Sequence, residues 1–333
     1  MGSSIRAFGT EGMDPIQATH VEGITQTGGV IEAGGPSADF EVSLESLNQR
    51  QLAWRRFKRN RLALVGSAIF LFMVAIAILG PVLLPYDRLD ITAVKKPGGN
   101  PPSLETIKTI FGSDNLGRSV LVLTANGARL SMLIGVMTTI IAVSIGVTIG
   151  GIAGFFGGWA DGVLMRLVDL VLAVPFLFIV LVAARFFGGG DPIIIILIFG
   201  LLAWPGLARL VRAMFLSLRE QDFVLAARAV GVSNSRIIFK HMLPNAIGPI
   251  VVSASLLVAG TIVLEAFVSF LNFGVRATDV SWGNALSNSQ GTLVQGNWWW
   301  AFFPGMAIAL TVIAINFMGD GMRDALDPYS RGR

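Results

Sequence analysis

Six stretches of this 333-residue chain are apolar for about the depth of a bilayer: 62–84, 130–156, 163–187, 193–216, 247–270 and 301–318. A hydrocarbon layer about 30 Å thick is crossed by about 20 helical residues, since a helix rises about 1.5 Å per residue. Lipid offers the backbone no hydrogen-bond partners, so continuous runs of this length fold as helices. The mean hydropathy is +0.69 and only 14% of residues are charged; soluble domains carry about a quarter. The expected fold class is an all-α membrane protein with six transmembrane helices.

Charge sets the orientation. Residues 1–43 are poor in apolar side chains and read as a disordered cytoplasmic tail. No apolar run follows Arg6, so the start does not read as a signal peptide. Residues 44–61 read as an amphipathic elbow, with Leu44, Leu47, Trp54 and Phe57 on one face. Its end is crowded by Arg55, Arg56, Lys58, Arg59 and Arg61. Keeping this cluster inside, together with Arg219, Arg228, Arg236 and Lys240, gives an N-in/C-in chain. Loops 85–128 and 272–297 then lie outside, loop 217–245 inside, and 319–333 forms a short cytoplasmic tail. The last five spans form one core over 129–318. Lys95, Lys96, Lys108 and Arg118 fall in the first external loop, but the opposite orientation would export both denser clusters.

Composition removes several chemistries. Cysteine is absent and the histidines are only His20 and His241, so thiolate, disulfide and His-built metal chemistry have no material. No nucleophile–base–acid set is visible, so no catalytic, cofactor-binding or metal-binding residue is expected. GSDNLGRS at 112–119 lies one residue from a phosphate-binding loop, but Arg118 stands where Lys is needed and no strand precedes it. The pI near 9.8 reads as loop charge rather than a nucleic-acid surface.

Within the spans, Ala142, Gly146, Gly150, Gly154 and Gly158 recur every fourth residue, a stripe that lets helices pack closely. Arg166 and Asp169 are spaced to pair on one helix. Pro175 is expected to kink the third span and Pro205–Gly206 to break the fourth, whose inner end carries Arg209 and Arg212. Trp298, Trp299 and Trp300 read as an interfacial belt. Glu265 lies in the middle of the fifth span, where an ionisable group is costly and usually faces a bundle interior or wet cavity. It is a candidate for the translocation pathway or for proton coupling, with a structural hydrogen bond as the competing account. A pathway role predicts that Glu265→Gln lowers transport but not insertion.

The polar segment between the fourth and fifth spans reads QDFVLAARAVGVSNSRIIFKHMLPNAIGP. Phe223, Ala226, Ala227 and Val230 have helical spacing, and Gly231 is placed to end that helix. Ser233 can cap a second helix, which Pro244 is expected to end. Small alanines before the glycine allow another surface to approach the backbone closely.

This segment resembles the EAA loop of ABC-importer permeases. Ala226, Ala227, Gly231, Leu243 and Pro244 stand at matching positions, while Leu225 replaces the usual Glu and His241 the usual Ile. FGSDNLGRSVL at 111–121, GGWADGVLMRLVDLVLAVP at 157–175, SWGNAL at 281–286 and FPGMAIALTVIAINFMGDGMRDALDP at 303–328 are similar to the permease subunits of dipeptide and oligopeptide importers. The resemblance covers about 51–328 and keeps the family's order.

It implies a multi-pass permease subunit in a bacterial or archaeal cytoplasmic membrane, moving peptides or related small solutes by ATP-driven alternating access. The implied partners are a second homologous permease, two cytoplasmic ATPases that hold ATP and Mg2+, an extracytoplasmic substrate-binding protein and the lipid bilayer, with no nucleic acid. By the same resemblance 217–245 is a coupling-helix loop. Phe223, Ala226, Ala227, Arg228, Gly231, His241, Leu243 and Pro244 form the ATPase contact, and the external loops dock the binding protein. The chain itself is then no enzyme. Two rivals stand beside this reading: a proton-coupled secondary transporter using Glu265, and a membrane anchor that moves nothing.

Overall fold

A computed structural model describes residues 49–87, 91–92, 99–187, 190–276 and 278–326. The expected tail at 1–43, Leu44, Leu47, Lys95 and Lys96 lie outside the described residues. Every regular element among those described is helical.

Helix α1 (Gln49–Arg59) is the described part of the elbow, with Trp54 stacked on Phe57 and Lys58 over the Trp54 ring. Asn60 then caps α2 (Arg61–Leu83) by accepting the Ala63 amide at 3.2 Å. Next come α3 (Val120–Phe156), α4 (Gly158–Ala173), α5 (Phe176–Phe186) and α6 (Pro192–Leu218). The short α7 (Asp222–Ala229) and α8 (Asn234–Arg236) lead into α9 (Leu243–Phe270). Helices α10 (Trp282–Leu293) and α11 (Trp299–Leu326) complete the chain. Five helical stretches are long and apolar enough to cross a bilayer, and α4 and α5 pass that test only as a pair bent by 78°. Counted as one broken span, the pair brings the number to six.

The break follows from Pro175. Proline disfavours helical backbone in the residue before it, and Val174 is extended, with φ −90° and ψ 133°. The expected kink is therefore a corner. Pro205 behaves differently, because α6 continues through it and through Gly206. The carbonyl orphaned by the missing proline N–H is that of Leu201, and the Trp204 indole donates to it at 3.0 Å. One side chain thus removes the expected break.

The glycine stripe is the spine of the bundle. Added Cβ atoms at Gly146, Gly150 and Gly154 would lie 3.0 Å from Leu207, 2.3 Å from the Ala208 carbonyl and 2.5 Å from Phe215. These glycines let α3 and α6 pack backbone to backbone, as expected. The stripe ends before Gly158, which is exposed with open space around it. Gly157 has already turned the chain at φ 64°.

At the same end, Gly321 of α11 packs on Ala63, and Asn60 donates to Asp324 at 3.2 Å. Helix α11 therefore continues to Leu326, where a tail from 319 was expected. The positively charged residues Arg55–Arg61, Arg219, Arg228, Arg236 and Lys240 gather at this end, which the positive-inside rule makes cytoplasmic.

Candidate functional site

The inner loop is built around one left-handed residue. Gly231 has φ 77°, a conformation that costs other residues about 1–2 kcal/mol. Around it the Val232 amide donates to Ala227 O at 3.0 Å and the Gly231 amide to Arg228 O at 3.0 Å. This pair of bonds closes α7 as a glycine-terminated helix end. Ser233 occupies the next N-cap position without a capping side-chain bond.

Pro244 does not end the second helix. Residues Ile237–Met242 form a π-helical stretch that feeds α9, where Pro244 sits in the first turn. The coupling loop is thus one short helix, a reversal, and an inward extension of the fifth span.

Burial divides the expected contact residues in two. Val224 and Ala227 face the bundle and join Phe155, Val211, Phe215, Ile237 and Met242 in a core. Ala227 therefore packs against its own chain, at the inner edge of the face that carries Phe223 and Val230. Phe223, Ala226, Gly231 and Pro244 are exposed, and His241 and Leu243 are half-buried. Phe223 (41%), Leu225 (46%), Val230 (79%) and Phe239 (69%) turn large apolar surface outward from a polar loop. Arg228 lies over the Phe155 ring at 5.1 Å, which ties α7 to the end of α3. In this fold Arg228 binds inward as well as being exposed.

Beneath the loop, Arg212 of α6 binds Asp161 of α4 through both carboxylate oxygens, and Arg209 meets Asp169 at 2.6 Å. Asp169 therefore pairs across helices rather than with Arg166. Sequence spacing alone sees only partners on the same helix.

Glu265 stands five residues before the outer end of α9 rather than in mid-span, and is 1% exposed. Its carboxylate accepts from Ser131 of α3 at 2.9 Å and Ser269 of α9 at 2.8 Å, and Ser281 also reaches it. Ser131 in turn accepts the Trp282 amide at 3.1 Å, and the Trp282 indole donates to Thr124 O at 2.9 Å. Asn284 donates to the carbonyls of Val275, Arg276 and Asp279. The segment expected as external loop 272–297 thus contains α10, pinned into the bundle by a buried polar knot. Within this chain Glu265 thus links α9 to α3 and to the start of α10.

The other external segment is equally self-satisfied. Asp114 accepts the Leu116 and Arg118 amides at 2.9 and 2.8 Å and pairs with the Arg118 guanidinium at 2.6 Å. Burial works against the Arg118 charge, yet Asp114 and the Tyr86 hydroxyl outweigh it and hold its pKa above the ordinary arginine value. Ser113 O accepts from the indoles of Trp299 and Trp300 at 3.2 and 2.6 Å. Those two tryptophans are buried, so only Trp298 is exposed as a belt residue would be. Ser119 caps α3, which begins at Val120 rather than near Leu130. The near match to a phosphate-binding loop is this Asp–Arg turn.

A bundle of membrane helices with a cytoplasmic loop that presents an apolar stripe is an integral membrane protein with surface fit for a partner. Residues 146–332 match the family model of the binding-protein-dependent transport system inner membrane component, and the chain belongs to that family. Residues 48–97 match the N-terminal TM domain of oligopeptide transport permease C. The dipeptide transport system permease protein DppC of Bacillus subtilis strain 168 is 39% identical over 87% of this chain and 89% of its own. The oligopeptide transport system permease protein OppC of Mycobacterium tuberculosis H37Rv is 40% identical over 86% of this chain and 97% of its own. The chain is accordingly a multi-pass inner-membrane transport subunit.

Proposed function

We propose that this chain is one permease of an ABC importer for peptides or closely related solutes, driven by ATP hydrolysis on partner subunits. The observation that carries the reading is the outward stripe of α7, Phe223, Ala226 and Val230, set by the left-handed Gly231. A cytoplasmic ATPase would bury this stripe, hold ATP and Mg2+ in its own sites, and transmit closure through α8 and the π-helical stretch into α9. A ligand moves a conformational equilibrium only by binding its states differently; ATP-driven closure of two docked ATPases supplies that difference. A second permease, two ATPases and an extracytoplasmic binding protein complete the assembly. The relatives named as dipeptide and oligopeptide permeases support the choice of peptides.

The test is co-purification of the detergent-solubilised chain with co-expressed neighbouring gene products, comparing wild type with Gly231→Glu. ATPase subunits and a second permease accompany wild type, and the mutant loses the ATPases. A wild-type chain that purifies alone overturns the assignment.

A further inference from the structure

A groove of about 470 Å³ opens between the outer ends of α2, α3 and α6 and the turn before α10. Its size is that of a small-molecule site, which runs about 300–1,000 Å³. Arg129 and Asp279 both line it, together with Asn126 and Thr278. Arg129 is the single charged residue in the α3 sequence. It lies about 40 Å from the inner end of that helix at about 1.5 Å per residue, beyond a hydrocarbon core about 30 Å thick. The guanidinium is thus held at the outer mouth, where water reaches it.

Neither charge is consumed by the fold. No ion pair or side-chain hydrogen bond engages Arg129 or the Asp279 carboxylate among the described residues. The nearby cation Arg276 instead faces Asp191 at 4.0 Å. The Asp279 backbone is fixed, its amide donating to Arg276 O at 2.8 Å and its carbonyl accepting from Asn284 at 2.9 Å. Two opposite charges therefore share one solute-sized groove without neutralising each other.

We infer that this groove is an outer subsite for a short zwitterionic peptide, with Arg129 taking the carboxylate and Asp279 the ammonium group. A guanidinium and a carboxylate separated within one groove complement a molecule that carries both charges at its ends. The choice of a peptide over another zwitterion rests on the function proposed above.

The chain has no cysteine, so Thr278→Cys places one thiol at the groove, and labelling of this chain is read by mass. The assembled complex in proteoliposomes is treated with a membrane-impermeant maleimide while trialanine is titrated, and trialanine uptake is measured in parallel. Trialanine is expected to slow labelling. Arg129→Gln or Asp279→Asn is expected to raise the half-protecting concentration about tenfold, the size of one lost charge-assisted hydrogen bond. Acetylated, amidated trialanine is expected to give no protection. Uptake without protection, or equal protection by the blocked peptide, overturns the subsite and leaves the importer standing. Protection without uptake does the reverse. A labelling rate that responds to anionic lipid and not to trialanine assigns Arg129 to headgroups and also overturns the subsite.

Discussion

The two ends of the bundle solve opposite problems. At the outer end polar groups are buried and bonded to one another: Glu265 to three serines, Asp114 to Arg118, and two tryptophans to one carbonyl. At the inner end apolar side chains are turned outward on a helix of eight residues. The buried polar core of the outer end is closed on itself, whereas the inner end has apolar surface left for another protein to bury. Large exposed apolar patches mark interaction sites, and here the patch sits on an element whose own core is closed beneath it.

That contrast is broken most severely by Trp282→Ala. The ring is fully buried and its indole and amide hold α10 to α3. Removing a buried aromatic costs about 3–5 kcal/mol, so the melting temperature in detergent falls sharply and little assembled complex is recovered. Gly231→Glu is expected to separate stability from function. It costs about 1–2 kcal/mol of backbone strain, the protein still inserts, and uptake is abolished. Gly231→Asn, which tolerates this backbone, should retain most uptake. If it loses as much as the Glu variant, an added side chain at the docking surface rather than backbone strain explains both.

Gly150→Ala acts between the two ends. Its Cβ would lie 2.3 Å from the Ala208 carbonyl, so α3 and α6 must separate. Overpacking typically costs about 1–3 kcal/mol, readable as a lower melting temperature, while Gly206→Ala, within α6, meets no neighbour. An unchanged melting temperature for Gly150→Ala would show that the spine is looser than its geometry.

Much of this was legible in the sequence because lipid leaves few choices. Apolar runs gave the spans, the four-residue glycine spacing gave a close-packing face on α3 though not its partner, and Gly231 gave the turn. What escaped depends on contacts between distant residues. The tolerance of Pro205 required a neighbouring Trp204 to turn toward Leu201 O, and Asp169 found Arg209 on another helix. Ala227 and Ala226 are adjacent in a motif, yet only the packed bundle decides which faces inward. The SWGN segment carried a usable signal: a tryptophan flanked by Ser281 and Asn284, residues able to bond the backbone of a helix start. The ends of helices fared worst, since α3 and α11 both run past their apolar stretches into polar sequence held by tertiary bonds.

The smallest expected effect is that of Glu265→Gln, and it is the most discriminating for the outer end. The carboxylate accepts hydroxyl protons from Ser131 and Ser269. A glutamine keeps the shape and one acceptor oxygen, and its amide N–H groups can donate to a serine whose hydroxyl has rotated. The knot is therefore retained at a cost of about 1 kcal/mol, the worth of an ordinary hydrogen bond, and uptake stays near wild type. Glu265→Leu removes every acceptor, strands the two hydroxyls, and should lower the melting temperature more than Gln does. A proton-coupled transporter would invert this ranking, because Gln cannot carry the proton and uptake would collapse with stability unchanged. Uptake and melting temperature measured on the same two variants thus separate a residue that holds α10 in place from one that moves charge.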